Sequence, residues 1–356
     1  MPPSFVGRFS EPDQLGAAFT AARIQSTVTQ PGQYDANLVA MDIGQLSLAQ
    51  GEDNLGTVRH IELVPDQIMF CFLPGGHHGV LIDGNEVRRH QLTQHSLGQS
   101  YYHTTLGPAP WAALFLTPEK LEGIATLFGS QRRSPQVAHA IMPSAQAMQR
   151  LTQLHIMAVR LVRDAPEMLE RPEAIRGLEH TVIEALAGCL IGGEAPDETF
   201  GQRNHSTIMR RFHRLMADNP AGTLFLADIC AALGVSARSL RDCSQTHIGM
   251  GPKRFLTLRR MHLARCALRE GGGNTSVTDV ATQFGFWELG RFAVVYRALF
   301  GESPSATAGQ RALGDGPHAV AADLAAPNHP VHDWFGPQWI AALGWAQGGS
   351  QPFGFA

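Results

Sequence analysis

Residues 275–304 read TSVTDVATQFGFWELGRFAVVYRALFGESP: a short amphipathic segment, a glycine at 285, then Trp287, Arg291, Phe292 and Tyr296 in the next turns. About fifty residues earlier, residues 226–252 read LADICAALGVSARSLRDCSQTHIGMGP and repeat the layout. A helix-turn-helix unit needs a small residue where two helices cross, a Gly at the sharp turn, and apolar residues that return the second helix to the core. In the later stretch Val277, Val280 and Phe284 supply the inner face, Ala281 the crossing and Gly285 the turn, while Phe292 and Tyr296 hold the second helix to the core. In the earlier one Leu226, Ile229 and Leu233 face inward, Cys230 takes the crossing, Gly234 the turn, Ser236 caps the second helix, and Leu240 anchors it.

The outward residues decide what such units do. In the later unit these are Trp287, Glu288, Gly290, Arg291 and Val294; in the earlier one they are Ala237, Arg238, Ser239 and Arg241, after the Ser236 cap. They lie near the N-terminal ends of their helices, where a recognition helix meets base edges in the major groove. Arg291 has the donors to bind guanine with two hydrogen bonds, and Gly290 lets the backbone come close. A single hairpin of this kind reads more readily as a plain helical hairpin with a surface arginine. Two of them change the balance. Gly234 and Gly285 lie 51 residues apart, and PKRFLTLRRMHLARCALR between them predicts a strut helix with Phe255, Leu258, Met261 (or His262) and Arg265 in helical order. Such a helix spans roughly 25 Å at 1.5 Å per residue, less than the roughly 34 Å turn of B-DNA, so two heads on it would meet successive grooves by bending the duplex or engaging one incompletely.

The charge distribution agrees. Residues 201–312 carry 15 Lys+Arg against 7 Asp+Glu, while the rest carries 13 against 24, within a net charge of -3. A basic segment in an acidic chain suits a polyanion partner, although a solvated basic face gives the same count. Arg210, Lys253 and Arg254 are the candidates for phosphate contacts. At 44 % hydrophobic and 17 % charged residues the composition is globular, and no run of about eighteen apolar residues is present to span a bilayer. No membrane partner is expected. The opening MPPSFVGRFSEPDQ lacks the pattern of a secretory signal, which points to the cytoplasm. The five cysteines have no CxxC or zinc-site spacing and read as reduced, mostly buried apolar residues.

From about Asn37 to Thr117 the pattern is strand-like, and Asp83-Gly84 within VLIDGNEV predicts a tight hairpin turn with positive φ. Either Ile68, Phe70 and Phe72 or Met69, Cys71 and Leu73 face the interior; periodicity leaves the choice open. Helical periods follow over TPEKLEGIATLFG, 144–163 and 172–190. In the last, Ile175, Leu178, Val182, Leu186 and Cys189 form one apolar stripe, which packs on the chain's own strands or on a second subunit. The segment GGEAPDETFGQRNHS (192–206) reads as a linker, and the Gly/Ala/Pro-rich 313–356 as a largely disordered tail.

The segment 224–304 resembles the DNA-binding domain of AraC/XylS-type transcription regulators. The likeness is carried by ALGVSARSL, HIGMGPKRFLTLRRMHLARCAL and SVTDVATQFGFWELGRFAVVYRALFGESP, with a Gly-x-x-Pro element after each unit (Gly249 to Pro252, Gly301 to Pro304). It implies a domain of seven helices with DNA contacts from Ser236, Ala237, Arg238, Ser239 and Arg241, and from Trp287, Glu288, Gly290 and Arg291. Two positions depart from the pattern: Asp242 stands where a basic residue is usual and Ser244 where an aromatic is usual. Arg291 is therefore expected to matter more for affinity than Arg241. The resemblance also implies a β-rich, cupin-like sensor region that binds an effector, pairs subunits, or both.

The expected fold is an α+β multidomain chain. It comprises a cupin-like barrel with packed helices (1–191), the linker (192–206), an all-α double helix-turn-helix domain (207–312) and the tail. The expected partners are double-stranded DNA, a small-molecule effector and a second copy of the chain, with RNA polymerase as a further contact; no cofactor is expected. The rival within the same class is a DNA-binding regulator whose N-terminal region only pairs subunits. The rival from another class is a metal-dependent cupin-type enzyme, to which His60, His77, His78, His90, His95 and His103 lend residues. Against it, the HxH pair followed by Glu is absent, His77 and His78 would point to opposite faces of a strand, and no GxSxG, P-loop or HExxH occurs. Neither a metal site nor an enzyme is expected.

Overall fold

The computed structural model describes residues 4–19, 21–44, 46–75, 79–96, 98–128, 139–191, 200–219, 224–271 and 275–309. The 313–356 tail, His77, His78 and residues 192–199 of the expected linker lie outside them. The chain runs β1 (Ser4–Phe9), α1 (Pro12–Ala17), β2 (Ala22–Val28), β3 (Ala36–Asp42), β4 (Ser47–Asp53), β5 (Thr57–Leu63) and β6 (Ile68–Phe72). It continues through β7 (Val80–Ile82), β8 (Asn85–Glu86), β9 (Leu92–His95), β10 (Ser100–Thr105), β11 (Ala109–Leu116), α2 (Pro118–Phe128), β12 (His139–Ile141), α3 (Ala145–Asp164) and α4 (Pro172–Leu190). Then come α5 (Phe200–Ala217), α6 (Leu226–Leu233), α7 (Ala237–Ile248), α8 (Pro252–Glu270), α9 (Val277–Gln283), α10 (Leu289–Phe300) and α11 (Pro304–Gly309).

Two antiparallel sheets, ordered β1-β3-β4-β11-β6-β9-β12 and β2-β5-β10-β7-β8, form the N-terminal region. The expected barrel is not closed: among the described residues no ladder joins the sheets, and β1, β12, β2 and β8 each pair on one side only. Side chains join them instead. Leu38, Ala49, Met69, Ala113 and Phe115 of one sheet meet Ala22, Ile61 and Tyr101 of the other. The opposite face of the larger sheet, with Ile68, Phe70, Phe72 and Leu114, packs on Met148, Leu151 and Val159 of α3 and on α4. The alternation along β6 is thus resolved: Met69 and Cys71 point between the sheets, and Ile68, Phe70 and Phe72 point to the helices.

The apolar stripe of α4 is occupied by its own chain, since Val182, Leu186 and Cys189 belong to that same helix-and-sheet core and Ile175 and Leu178 pack against it. The Asp83-Gly84 turn forms as expected, with φ of 47° and 80°, and joins β7 to β8. The linker reading is corrected at its C-terminal half. From Phe200 the backbone is helical, because Met209, Phe212 and Met216 downstream give one buried stripe that extends the helix back through the polar residues.

Candidate nucleic-acid interface

Helices α5 to α11 supply the seven expected helices. Each turn is made by a residue that only glycine suits: Gly234 ends α6 at φ 67° and Gly285 follows α9 at φ 77°, in the left-handed region where a Cβ is strained. Gly249 and Gly301 close α7 and α10 in the same way, and Pro252 and Pro304 open α8 and α11. The second helix of the first unit is capped by Ser236, whose hydroxyl accepts from the Ser239 amide at 3.0 Å. Ser276 caps α9 by accepting from the Asp279 amide at 3.3 Å.

Two cores hold the units. Ile229, Leu233, Leu240 and Cys243 join Phe212 of α5 and Phe255 of α8. Val280, Ala281, Phe292 and Tyr296 join Met261, Ala264 and Leu268, farther along the same α8. The strut therefore carries one unit on each half, and the Tyr296 hydroxyl donates to Thr307 Oγ1 at 2.9 Å to tie α10 to α11.

The proposed contact residues are all exposed. Ala237, Arg238, Ser239 and Arg241 lie at the open N-terminal end of α7, beside Ser236. Trp287 is 75 % exposed. Arg291 is 78 % exposed, and its nearest carboxylate is Glu288 at 3.9 Å. Nothing lies within 4 Å of where a Gly290 Cβ would stand, so packing within the chain does not require glycine there. Ser236 and Ser239 differ from the others, since their hydroxyls lie 2.9 Å apart and are engaged in the cap. Arg210, Lys253 and Arg254 are also exposed. Other basic residues of the segment are committed elsewhere. Arg265 and Arg269 of α8 both pair with Glu11, Arg259 donates to the Met216 carbonyl at 3.1 Å, and Arg260 lies over the Phe286 ring.

The C-terminal ends of α7 and α10 dock on the five-stranded sheet and its loops. The backbone of Gly84 approaches Thr246 of α7 so closely that a Cβ there would stand 2.6 Å from the Thr246 carbonyl oxygen, and the Gly32 amide donates to the carbonyl of Leu299 in α10 at 3.0 Å. Between these points His60 stacks on His213, Tyr102 packs edge-on to both, and His262 Nε2 lies 3.1 Å from the Val28 carbonyl oxygen. Sequence reading singled out none of these contacts across the two regions.

Of the two departures, Ser244 is fully buried and its hydroxyl has no partner. A buried hydroxyl left without a hydrogen bond costs about 1–3 kcal/mol, so Ser244→Ala is expected to raise stability by about 1 kcal/mol. Urea unfolding checks this; a loss of stability would mean that the hydroxyl is engaged. Among the described residues no group of three or more His, Cys, Asp or Glu is placed to hold a metal ion, and no helix is long and apolar enough to cross a membrane.

Residues 229–310 match the protein family described as "Helix-turn-helix domain". The chain is 32 % identical over 119 residues to the "XylDLEGF operon transcriptional activator" of Pseudomonas putida, covering 33 % of this chain and 36 % of that one. It is 32 % identical over 154 residues to the "Probable thc operon regulatory protein" of Rhodococcus erythropolis, covering 41 % of this chain and 46 % of that one. A solved structure, the AraC-like transcriptional activator CuxR, aligns over 79 % of this chain and 99 % of its own at 16 % identity, with a TM-score of 0.38. The C-terminal helices are a helix-turn-helix domain. The domain is of the AraC/XylS type, and the matches to these relatives span less than half of their length.

Proposed function

We propose that the protein is a sequence-specific, DNA-binding transcription regulator that reads successive major grooves with α7 and α10 and answers to a small molecule held in its strand-rich region. The observation that carries this reading is the shared mounting of the two heads: one strut, two exposed N-terminal ends, two anchored C-terminal ends. Base and backbone contacts come from Ser236, Ala237, Arg238, Ser239 and Arg241 and from Trp287, Glu288, Gly290 and Arg291. Ser236 and Ser239 act mainly by holding the cap. Arg210, Lys253 and Arg254 supply phosphate contacts and with them the salt dependence of binding.

A cavity between the two sheets favours an effector over a purely packed pairing domain. Its state reaches the heads across the docked interface, because α1, which contributes Leu15 to the cavity wall, is preceded by Glu11, the partner of Arg265 and Arg269 on the strut. Two heads on one chain, and then two chains on one site, raise avidity through effective concentration. The α4 stripe is already filled, so such pairing uses another surface.

Selection of bound genomic fragments at two salt concentrations tests the reading. A short set of sites that survives the higher salt, each with paired half-sites about one helical turn apart, is the expected result. Weak, unselective binding that salt abolishes would refute it. Within such sites, Arg291→Ala is expected to cost about 1–3 kcal/mol of specific binding, with relaxed preference at one base position. An unchanged affinity and an unchanged preference would remove Arg291 from the contact set.

A further inference from the structure

The cavity lies between β2, β5 and β10 on one side and β6 and β11 on the other, with Leu15 and Phe19 at its wall. Its lining is mostly apolar and rich in rings: Phe19, Tyr101, Trp111 and Phe115 with Ile61 and Met69. One end is polar. Strand register sets His103 opposite Arg59, and Trp111 opposite Gly51, two residues from Asp53. At this end three buried polar atoms have no partner, Trp111 Nε1, His103 Nδ1 and Asp53 Oδ2. Buried N–H groups and ring nitrogens are rarely left orphaned, and in the wall of a cavity they mark where a ligand's polar atom belongs.

The charge at that end is already balanced. Arg59 donates to Asp53 Oδ1 and to the Tyr34 hydroxyl, and the Tyr34 hydroxyl donates to the same carboxylate oxygen. A carboxylate ligand would therefore enter beside Asp53 with no unpaired cation among the described lining residues to meet it, and would lose its hydration in an apolar chamber. A hydroxyl has no such difficulty, because it accepts from the indole N–H and can either donate to or accept from an imidazole nitrogen. The size is limiting as well. The cavity measures about 50 Å³; where one water needs about 10–15 Å³, that is room for a small cluster of waters or one small ring, not a long chain.

We infer that this cavity binds a compact, uncharged, ring-shaped molecule bearing a hydroxyl, with the ring among Phe19, Tyr101, Trp111 and Phe115 and the oxygen at Trp111 Nε1 and His103 Nδ1. Its role as an effector rests on the regulator reading above; its binding does not, and is tested without DNA.

The test titrates the full chain with phenol and with benzoate at pH 7.5, following the unfolding temperature and the heat of binding. Phenol is expected to bind saturably and raise the unfolding temperature, and benzoate to do neither. Trp111→Phe keeps a ring but removes the donor, and is expected to weaken phenol by about fivefold, the loss of one neutral hydrogen bond. Ala113→Leu adds volume at the lining and is expected to abolish phenol binding in a protein that still unfolds cooperatively. Should either variant fail to fold, the other keeps the comparison. Absence of phenol binding, benzoate binding as tight as phenol, or phenol binding unchanged in the folded variants would each overturn the assignment.

Discussion

Arg59→Met is expected to destabilise the protein by about 3–5 kcal/mol, the range found when one partner of a buried ion pair is removed. Arg59 and Asp53 lie between the two sheets, with side-chain exposures of 5 % and 0 %. Burial opposes the charge on Asp53, but the charge and hydrogen bond of Arg59 outweigh it and hold the carboxyl below its ordinary range. Without Arg59 the carboxylate keeps only the Tyr34 hydroxyl, and Asp53 Oδ2 has no partner even in the intact protein. The site must then take up a proton or open to water. The double variant Arg59→Met with Asp53→Leu is expected to recover most of the loss, since apolar replacement of a whole buried pair is often neutral or better. Urea midpoints of the two singles and the double close the cycle. A loss under about 1 kcal/mol for Arg59→Met would mean that water already reaches the pair.

The C-terminal half was legible because its determinants are local. A left-handed turn demands glycine at Gly234 and Gly285, and a helix start demands the hydroxyl of Ser236; these are read one position at a time. The Asp83-Gly84 hairpin was legible on the same ground. The N-terminal half resisted where determinants are not local. Strand structure begins at Ser4 rather than near Asn37, but β1 is an edge strand, and β2 buries Ser26 and Thr27, which blurs its alternation. Helix α1 has only six residues, too few to stand alone, and is held by packing against β2. The facing of β6 was undecidable from its pattern because both of its faces are buried and apolar.

The docking of sheet on heads was illegible for a different reason. Its contacts are made by His60, Tyr102, His213, His262, Glu11 and Arg265, residue types that hydrophobic periodicity passes over. The candidate contact residues stand out because they point away from every core, whereas the cavity is assembled from five strands and α1, and no segment carries it alone.

Docking of the five-stranded sheet on the helix-turn-helix units is expected to weaken by about 2–3 kcal/mol between pH 7.5 and pH 5.5. Burial, together with the neighbouring His213, lowers His60 to about 2. Burial and Arg259 lower His213 to about 3. Burial likewise lowers His262 to about 4, with Arg265 in support and the Val28 carbonyl and Asp13 opposing. Each of these lies below the ordinary imidazole value of about 6.5, so the undocked form, where the rings meet water, binds more protons over the interval. Docking is therefore insensitive to pH above about 6.5 and loses strength as pH falls from there towards about 2. One imidazole that must stay neutral costs about 1.4 kcal/mol at pH 5.5, and the figure counts the buried His60 in full, with about half as much from each of the half-buried His213 and His262.

Unfolding experiments alone would not isolate this, since burial also lowers His95, His103 and His155 within the sheet region and gives global stability the same sign. Small-angle scattering at the two pH values reads docking directly, with a larger radius of gyration expected at pH 5.5. In His60→Gln the ring that stacks on His213 can no longer take up a proton, so the dependence should flatten by about the share of one ring. Equal radii at both pH values, in a protein still folded by circular dichroism, would show that the interface tolerates charged imidazoles. The histidines would then pack the interface without sensing protons.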